Sequence, residues 1–136
     1  MRELIASFPD QLSAAAASMA TQPLPADVTD HDRILVLGMG GSGIGGRFLS
    51  GLLADSASVP VASGHDYRIP NWVGPSTLVI ACSYSGNTEE TLTALEAAVD
   101  AGAQVRALTS GGKLRALAEE HGWPCLTVPC LLYTSD

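Results

Sequence analysis

Residues 33–46, RILVLGMGGSGIGG, decide the fold. A continuous apolar run that ends in glycine is typical of a strand buried on both faces of a parallel sheet. After the glycines, apolar side chains recur at helical spacing, at Ile44, Phe48, Leu52 and Leu53. We interpret Gly45 and Gly46 as positions where this helix packs closely on the sheet. The stretch therefore predicts a strand, a glycine-rich turn and a helix.

The same alternation continues along the chain. Four further strands are predicted, at 58–63, 77–82, 104–109 and 124–129. One helix is predicted from Asn87 to Gly102, with Asn87 as its cap and Glu90 completing a capping box. Another lies within 110–122 and ends at Gly122. This order predicts an α/β protein with three layers, α/β/α, around an open five-stranded parallel sheet.

The segments at the two ends of the chain do not belong to this alternation. Apolar spacing predicts a helix over 9–20, with room for a short helical turn before it. We expect this helix and the α/β core at 33–129 to form one domain, residues 1–129. Residues 130–136, CLLYTSD, follow a finished strand and are compositionally arbitrary, so we interpret them as a non-native tail. The natural protein is then expected to continue past Pro129.

Composition excludes several classes of protein. The 136 residues carry a net charge of −7, which disfavours nucleic acid as a partner because its backbone is also anionic. No apolar run is long enough to predict a membrane span, and the N-terminus lacks a signal-peptide pattern, so we expect a cytoplasmic protein. The three cysteines, Cys82, Cys125 and Cys130, lack metal-ligand spacing, and we expect reduced thiols and no metal site.

Three strand-to-helix turns are rich in small hydrogen-bond donors. We call residues 38–43 the glycine turn, residues 83–88 the hydroxyl loop and residues 109–113 the third turn; they read GMGGSG, SYSGNT and TSGGK. Ligands of open α/β sheets bind at the edge where such turns lie. Each turn also opens a helix, whose first N–H groups attract anions. We therefore expect an anion site at this edge, with all three turns contributing.

The kind of anion can be narrowed from the residues. Gly38, Gly40 and Gly43 match the dinucleotide pattern G-x-G-x-x-G, but that match alone is weak. A dinucleotide site also needs an acidic residue closing the second strand, whereas Asp66 comes late, after Gly64. The hydroxyl loop instead offers three hydroxyls, on Ser83, Ser85 and Thr88. Turn and cap roles would explain any one of them; three in one loop favour a terminal phosphate.

The segments GMGGSGIGG, DYRIPNWV, SYSGNTEETL and TSGGKL resemble the sugar isomerase (SIS) domain. They are most similar to the bifunctional phosphoglucose/phosphomannose isomerase family, over about residue 8 to Pro129. The resemblance implies a flavodoxin-like topology, two such domains in the full-length chain, a homodimer, and no cofactor. It also implies reversible aldose–ketose isomerisation of glucose 6-phosphate or mannose 6-phosphate with fructose 6-phosphate, the phosphorylated hexose being the expected partner.

The resemblance assigns roles to particular positions. Ser42, Ser83, Ser85 and Thr88 match the family's phosphosugar-binding positions, and Gly40 and Gly41 match the turn under the sugar. The family's enediolate-stabilising arginine would fall where the tail begins. Its base glutamate and its ring-opening histidine and lysine belong to the second domain. We therefore expect this chain to contain no catalytic residue and to bind without turnover.

Two other functions stay open at this point. One is a non-catalytic phosphosugar-sensing module, as in transcriptional regulators that contain SIS domains. The short, acidic segment before the first strand counts against it, because such regulators carry a basic DNA-binding helical domain there. The other is a NAD-binding Rossmann domain, which would be indifferent to loss of the Ser85 hydroxyl.

Overall fold

A computed structural model describes residues 1–22 and 31–128. Its helices are α1 (Arg2–Ala6), α2 (Phe8–Thr21), α3 (Gly40–Leu53), α4 (Glu89–Asp100) and α5 (Gly112–His121). Its strands are β1 (Arg33–Leu37), β2 (Val61–Gly64), β3 (Thr77–Ser83), β4 (Gln104–Thr109) and β5 (Cys125–Thr127). Within this described part, helices join the strands as expected, and residues 65–76, which also read as a loop in the sequence, join β2 to β3 without a helix.

The strands form one parallel sheet in the order β2-β1-β3-β4-β5. This is the flavodoxin-like order, so the expected fold class is confirmed. The chain leaves β1 towards β2 on one side and leaves β3 towards β4 on the other. The strand order therefore reverses between β1 and β3, and ligands bind in the crevice at such a reversal.

Helices cover the two faces of the sheet unequally. On one face, Leu35, Val79 and Val105 pack with buried residues of α4 and α5 to form the main core. On the other face, α3 contacts β1 and β2. Since alternate strand residues point to opposite faces, Val36 lies on the α3 side, between the core residues Leu35 and Leu37. Burial on both faces explains why β1 reads as an unbroken apolar run.

Most predicted elements are confirmed, with shifts at their ends. β1, β3 and β4 lie within one residue of their expected bounds, and the N-terminal helix lies within one residue of 9–20. β2 begins at Val61 rather than 58, and β5 is shorter than 124–129. The expected tail, 130–136, lies outside the described residues, as does most of the connector before β1. Within the described ranges, no helix is both long and apolar enough to cross a bilayer.

The predicted start of α4 is wrong. The helix begins at Glu89, with Thr88 in the cap position and no side-chain capping hydrogen bond. Asn87 does not cap it, and Glu90 completes no capping box. The Asn87 side chain instead accepts a hydrogen bond from the backbone N–H of Lys113, at 3.0 Å. The predicted helix ends are confirmed, since Gly102 and Gly122 both have positive φ just after their helices.

The interpretation of Gly45 and Gly46 is half confirmed. A Cβ at Gly46 would lie 2.9 Å from Val36 Cγ1, whereas a Cβ at Gly45 would meet nothing within 4 Å. Close packing on the sheet thus requires glycine at 46 but not at 45.

We expect Gly46→Ala to lower the free energy of unfolding by about 1–3 kcal/mol, because the added methyl overpacks α3 against β1. The matched variant Gly45→Ala should leave it unchanged or raise it by up to about 1 kcal/mol, because alanine favours helix. Urea denaturation of both variants measures this difference. Equal effects of the two substitutions would contradict the packing described for α3.

Candidate functional site

The glycine turn and the hydroxyl loop lie side by side at the carboxyl edge of the sheet. β1 and β3 are paired neighbours, with Leu37 opposite Ala81, so the turns that follow them meet at the point where the strand order reverses. A Cβ at Gly38 would lie 2.9 Å from the backbone of Ser42, and one at Gly43 would lie 2.7 Å from the Gly38 carbonyl oxygen. These two glycines therefore let the corner between β1 and α3 close tightly.

Gly40 and Gly41 form the open side of the same corner. A Cβ at either position would meet no atom within 4 Å. Gly40 has a φ of +54°, in the left-handed region that glycine adopts without a steric penalty. The backbone here is accessible to a ligand, as the expected turn under a sugar requires.

The first turn of α3 presents unpaired donors beside this opening. Gly43 N–H already donates to the Met39 carbonyl, at 3.2 Å. The N–H groups of Gly40, Gly41 and Ser42 have no protein acceptor in the described part of the chain. Such groups carry the partial positive charge of a helix N-terminus. Together with the half-buried Ser42, they form one set of anion donors.

The three hydroxyls of the hydroxyl loop are not equivalent. Ser83 is 1% exposed. Its Oγ accepts a hydrogen bond from Gly86 N–H at 3.0 Å and lies 2.8 Å from Thr88 Oγ1. Since Ser83 Oγ is buried and already accepts from Gly86, its own proton is best satisfied by donation to Thr88. That arrangement leaves the Thr88 hydroxyl proton for a ligand and makes Ser83 a supporting group beneath the loop.

Ser85 is the exposed hydroxyl of the loop. Its Oγ accepts a hydrogen bond from Asn87 N–H, at 3.1 Å, which fixes the side chain while leaving its proton to donate. The first N–H groups of α4, on Glu89, Glu90 and Thr91, have no protein acceptor among the described residues. The hydroxyl loop therefore offers Ser85, Thr88 and the start of α4 as a second set of anion donors.

Most backbone donors of the third turn are paired within the protein, so this turn offers fewer anion donors than expected. Lys113 N–H donates to Asn87 Oδ1 at 3.0 Å, and Leu114 N–H donates to the Gly86 carbonyl at 2.9 Å. Ser110 N–H donates to the Tyr84 carbonyl at 3.1 Å. The hydroxyl loop thus packs on the N-terminus of α5, and these donors of the third turn support that loop. The glycines at 111 and 112 indicate that another group can approach this backbone closely, but the local sequence pattern does not identify that group as the hydroxyl loop.

An apolar groove adjoins the site on the α3 side of the sheet. It has a volume of about 440 Å³, and both Ser42 and Ser83 reach it. Its floor and walls come mainly from apolar side chains, including Val36, Phe48, Ile80, Cys82 and Leu108. The polar ends of the two turns therefore border an apolar surface.

Cys82 lines this groove as a free, buried thiol. Burial raises its pKa to about 11, so the unreactive thiol form dominates near neutral pH. We expect iodoacetamide to modify Cys82 more slowly than the half-buried Cys125, whose pKa is also raised by burial. The Cys82 rate should keep climbing as the pH approaches 11. Mass spectrometry of timed samples follows each site, and rapid modification of Cys82 at neutral pH would contradict its burial.

Comparison with known proteins places this geometry in a family. Residues 27–121 match the SIS domain. The chain belongs to the SIS domain family. A bifunctional phosphoglucose/phosphomannose isomerase from Caldicellulosiruptor bescii is 40% identical to this SIS domain over 129 residues, which cover 95% of this chain and 38% of that protein. The Thermoplasma acidophilum enzyme of the same name is 53% identical over 96 residues, which cover 71% of this chain and 29% of that enzyme.

Solved structures agree with the fold of this SIS domain. The sugar isomerase domain of the RpiR transcription factor from Sphaerobacter thermophilus superposes with a TM-score of 0.68 at 18% identity. The match covers 93% of this chain and 75% of that one. The SIS domain described here spans less than two fifths of the length of the two isomerases it matches.

Proposed function

We propose that this SIS domain binds the phosphate of a phosphorylated hexose between the glycine turn and the hydroxyl loop. The observation that carries the proposal is the convergence, at the reversal of strand order, of two sets of donors that have no acceptor within residues 1–22 and 31–128. Ser42, Ser85 and Thr88 would contact the phosphate, and Gly40 and Gly41 would let the sugar approach the backbone. Ser83 would act by holding Thr88 and Gly86 in place.

The strength of such a site does not require a lysine or arginine. A hydrogen bond to a charged group contributes about 1.5–3 kcal/mol. Each helix start adds roughly 0.3–1 kcal/mol for an anion at its end. Three hydroxyls and two helix starts are therefore enough to hold a phosphate dianion against the net charge of −7.

For the whole protein we propose aldose–ketose isomerisation between glucose 6-phosphate or mannose 6-phosphate and fructose 6-phosphate. The proposal rests on the homology to bifunctional isomerases. Proton transfer between C1 and C2 needs a carboxylate base and a cation near the enediolate. We place these groups outside this chain, in a second SIS domain and after β5, within a cytoplasmic homodimer. Residues 1–129 would then form the first SIS domain, and 130–136 would be a non-native tail.

A phosphosugar-sensing module is the second candidate. The likeness to the sugar isomerase domain of a transcription factor favours it. It shares the binding site with the first candidate and differs in having no turnover in the full-length protein. A NAD-binding domain is disfavoured, because β2 ends at Gly64 without the acidic residue that would bind ribose.

Calorimetry with fructose 6-phosphate, inorganic phosphate and NAD tests the proposed binding. We expect saturable heat with fructose 6-phosphate, weaker heat with inorganic phosphate, and none with NAD. NAD binding without a response to fructose 6-phosphate would overturn the proposal. In parallel, NMR of glucose 6-phosphate incubated with this chain should show no conversion. Appearance of fructose 6-phosphate would refute the placement of the catalytic groups outside the chain.

A further inference from the structure

The hydroxyl loop and the third turn are joined by a continuous set of hydrogen bonds. Asn87 Oδ1 accepts from Lys113 N–H at 3.0 Å, and the Gly86 carbonyl accepts from Leu114 N–H at 2.9 Å. Ser110 N–H donates to the Tyr84 carbonyl at 3.1 Å. The amides of Lys113 and Leu114 in the first turn of α5 are thus satisfied by a loop that lies much earlier in the sequence, with a separation of 26 residues between Lys113 and Asn87.

Asn87 makes hydrogen bonds both to α5 and within the hydroxyl loop. Its side chain accepts from α5, while its backbone N–H donates to Ser85 Oγ at 3.1 Å. A Cβ at Gly112 would lie 2.9 Å from Asn87 Oδ1, so the carboxamide rests directly over the start of α5. Asn87 therefore holds the Ser85 hydroxyl through its backbone N–H and is itself held by α5 through its side chain.

We propose that Asn87 is a positioning residue for phosphosugar binding, which holds Ser85 in place by anchoring the hydroxyl loop to the N-terminus of α5. The inference rests on the proposed function of the site. A loop without this anchor would have to be ordered when the ligand binds, and that ordering lowers affinity. A loop without the anchor would therefore lower the affinity for the ligand, even when the fold is retained.

Direct contact between Asn87 and the ligand is the competing explanation. The side chain borders the cleft between α4 and α5, together with Lys113 and His121, and not the groove beside α3. Its oxygen is already directed at α5. The geometry thus favours an indirect role, through Ser85.

Three variants separate these explanations: Asn87→Ala, Asn87→Asp and the control Asn71→Ala, which removes an exposed asparagine from the β2–β3 loop. Asn87→Asp keeps an oxygen acceptor for Lys113 N–H, at a helix start that favours a carboxylate. Hydrogen exchange by NMR reports protection of the Lys113 and Leu114 amides. Calorimetry in high salt, which screens the added charge, gives the dissociation constant for fructose 6-phosphate.

We expect Asn87→Ala to lose protection of the Lys113 amide from exchange. It should also bind fructose 6-phosphate about tenfold more weakly, the effect of losing one hydrogen bond, because the bond from Lys113 N–H no longer holds the loop. Asn87→Asp should keep the protection and bind within about threefold of the wild type. Asn71→Ala should match the wild type in both measurements. Circular dichroism confirms that each variant is folded at the temperature used.

Two results would overturn the inference alone. In the first, the Asn87→Ala variant either binds fructose 6-phosphate normally after the Lys113 amide has lost its protection from exchange, or leaves that amide protected. In the second, Asn87→Asp keeps the protection but binds as weakly as Asn87→Ala, which would indicate direct contact through the amide nitrogen. A wild-type chain that binds no fructose 6-phosphate would overturn the proposed function, and this inference with it.

Discussion

Replacement of Gly86 by alanine is expected to prevent folding or to lower the free energy of unfolding by more than about 4 kcal/mol. A Cβ at this position would overlap the carbonyl oxygen of Gly111 and lie 2.7 Å from the carbonyl carbon of the same residue. These are backbone atoms of the third turn, so no side-chain rotation can relieve the clash. Gly86 also has a φ of +75°, which costs any other residue conformational energy.

Gly122→Ala is the matched control for this substitution. Gly122 has a similar φ of +71°, but a Cβ there would meet no atom within 4 Å. We expect it to lose only about 1–2 kcal/mol, the cost of the left-handed conformation alone. Urea denaturation followed by circular dichroism compares the two variants. Similar losses for both would show that the hydroxyl loop and the third turn do not meet as closely as described.

Alanine substitutions at Ser83 and Ser85 are expected to separate stability from binding. Ser83→Ala removes the bond to Thr88 Oγ1 and one of the two acceptors of the buried Gly86 N–H, which keeps the Ser83 carbonyl at 3.2 Å. The loss should lower the free energy of unfolding by about 0.5–1.5 kcal/mol. Ser85 is exposed, and its removal should change stability by less than about 0.5 kcal/mol. Its loss should instead weaken fructose 6-phosphate binding at least tenfold, because one donor to a dianion disappears.

Denaturation and calorimetry on the same preparations test this separation. Ser56→Ala serves as a control, because Ser56 is exposed in the turn that follows α3, away from the sheet edge where the glycine turn and the hydroxyl loop meet. A Ser85→Ala variant that binds normally, or a Ser83→Ala variant of unchanged stability, would contradict the roles assigned to the two hydroxyls.

The strands were predictable because their burial leaves a direct mark on the sequence. The runs ILVL and LVIAC are apolar throughout, because β1 and β3 are largely buried on both faces. The start of β2 was predicted three residues too early. Pro60 has no N–H, so the ladder with β1 begins at Val61, opposite Ile34.

The cap of α4 was mispredicted for a different reason. Asn87 lies in a sequence context that favours a capping box, which is a local pattern. Its side-chain oxygen instead accepts a hydrogen bond from Lys113 N–H, which lies 26 residues later in the sequence. The same contact uses one of the backbone donors that the third turn was expected to offer to an anion. Competition of this kind depends on tertiary packing and leaves no periodic signal.

The meeting of the glycine turn and the hydroxyl loop could be anticipated, because turns at the reversal of strand order share one edge. The unequal burial of Ser83, Ser85 and Thr88 could not be predicted from the sequence. Ser83 is the last residue of β3 and lies under the loop, whereas Ser85 lies on its outer side. Sequence spacing alone presents the three hydroxyls as equivalent.

A crystal structure of this chain grown with fructose 6-phosphate tests the central claim most directly. We expect the phosphate within hydrogen-bonding distance of Ser42, Ser85 and Thr88 and of the first amides of α3 and α4, with the sugar over Gly40 and Gly41. The third turn should make no contact with it. An empty edge at saturating ligand, or an adenine dinucleotide bound there in its place, would contradict the account.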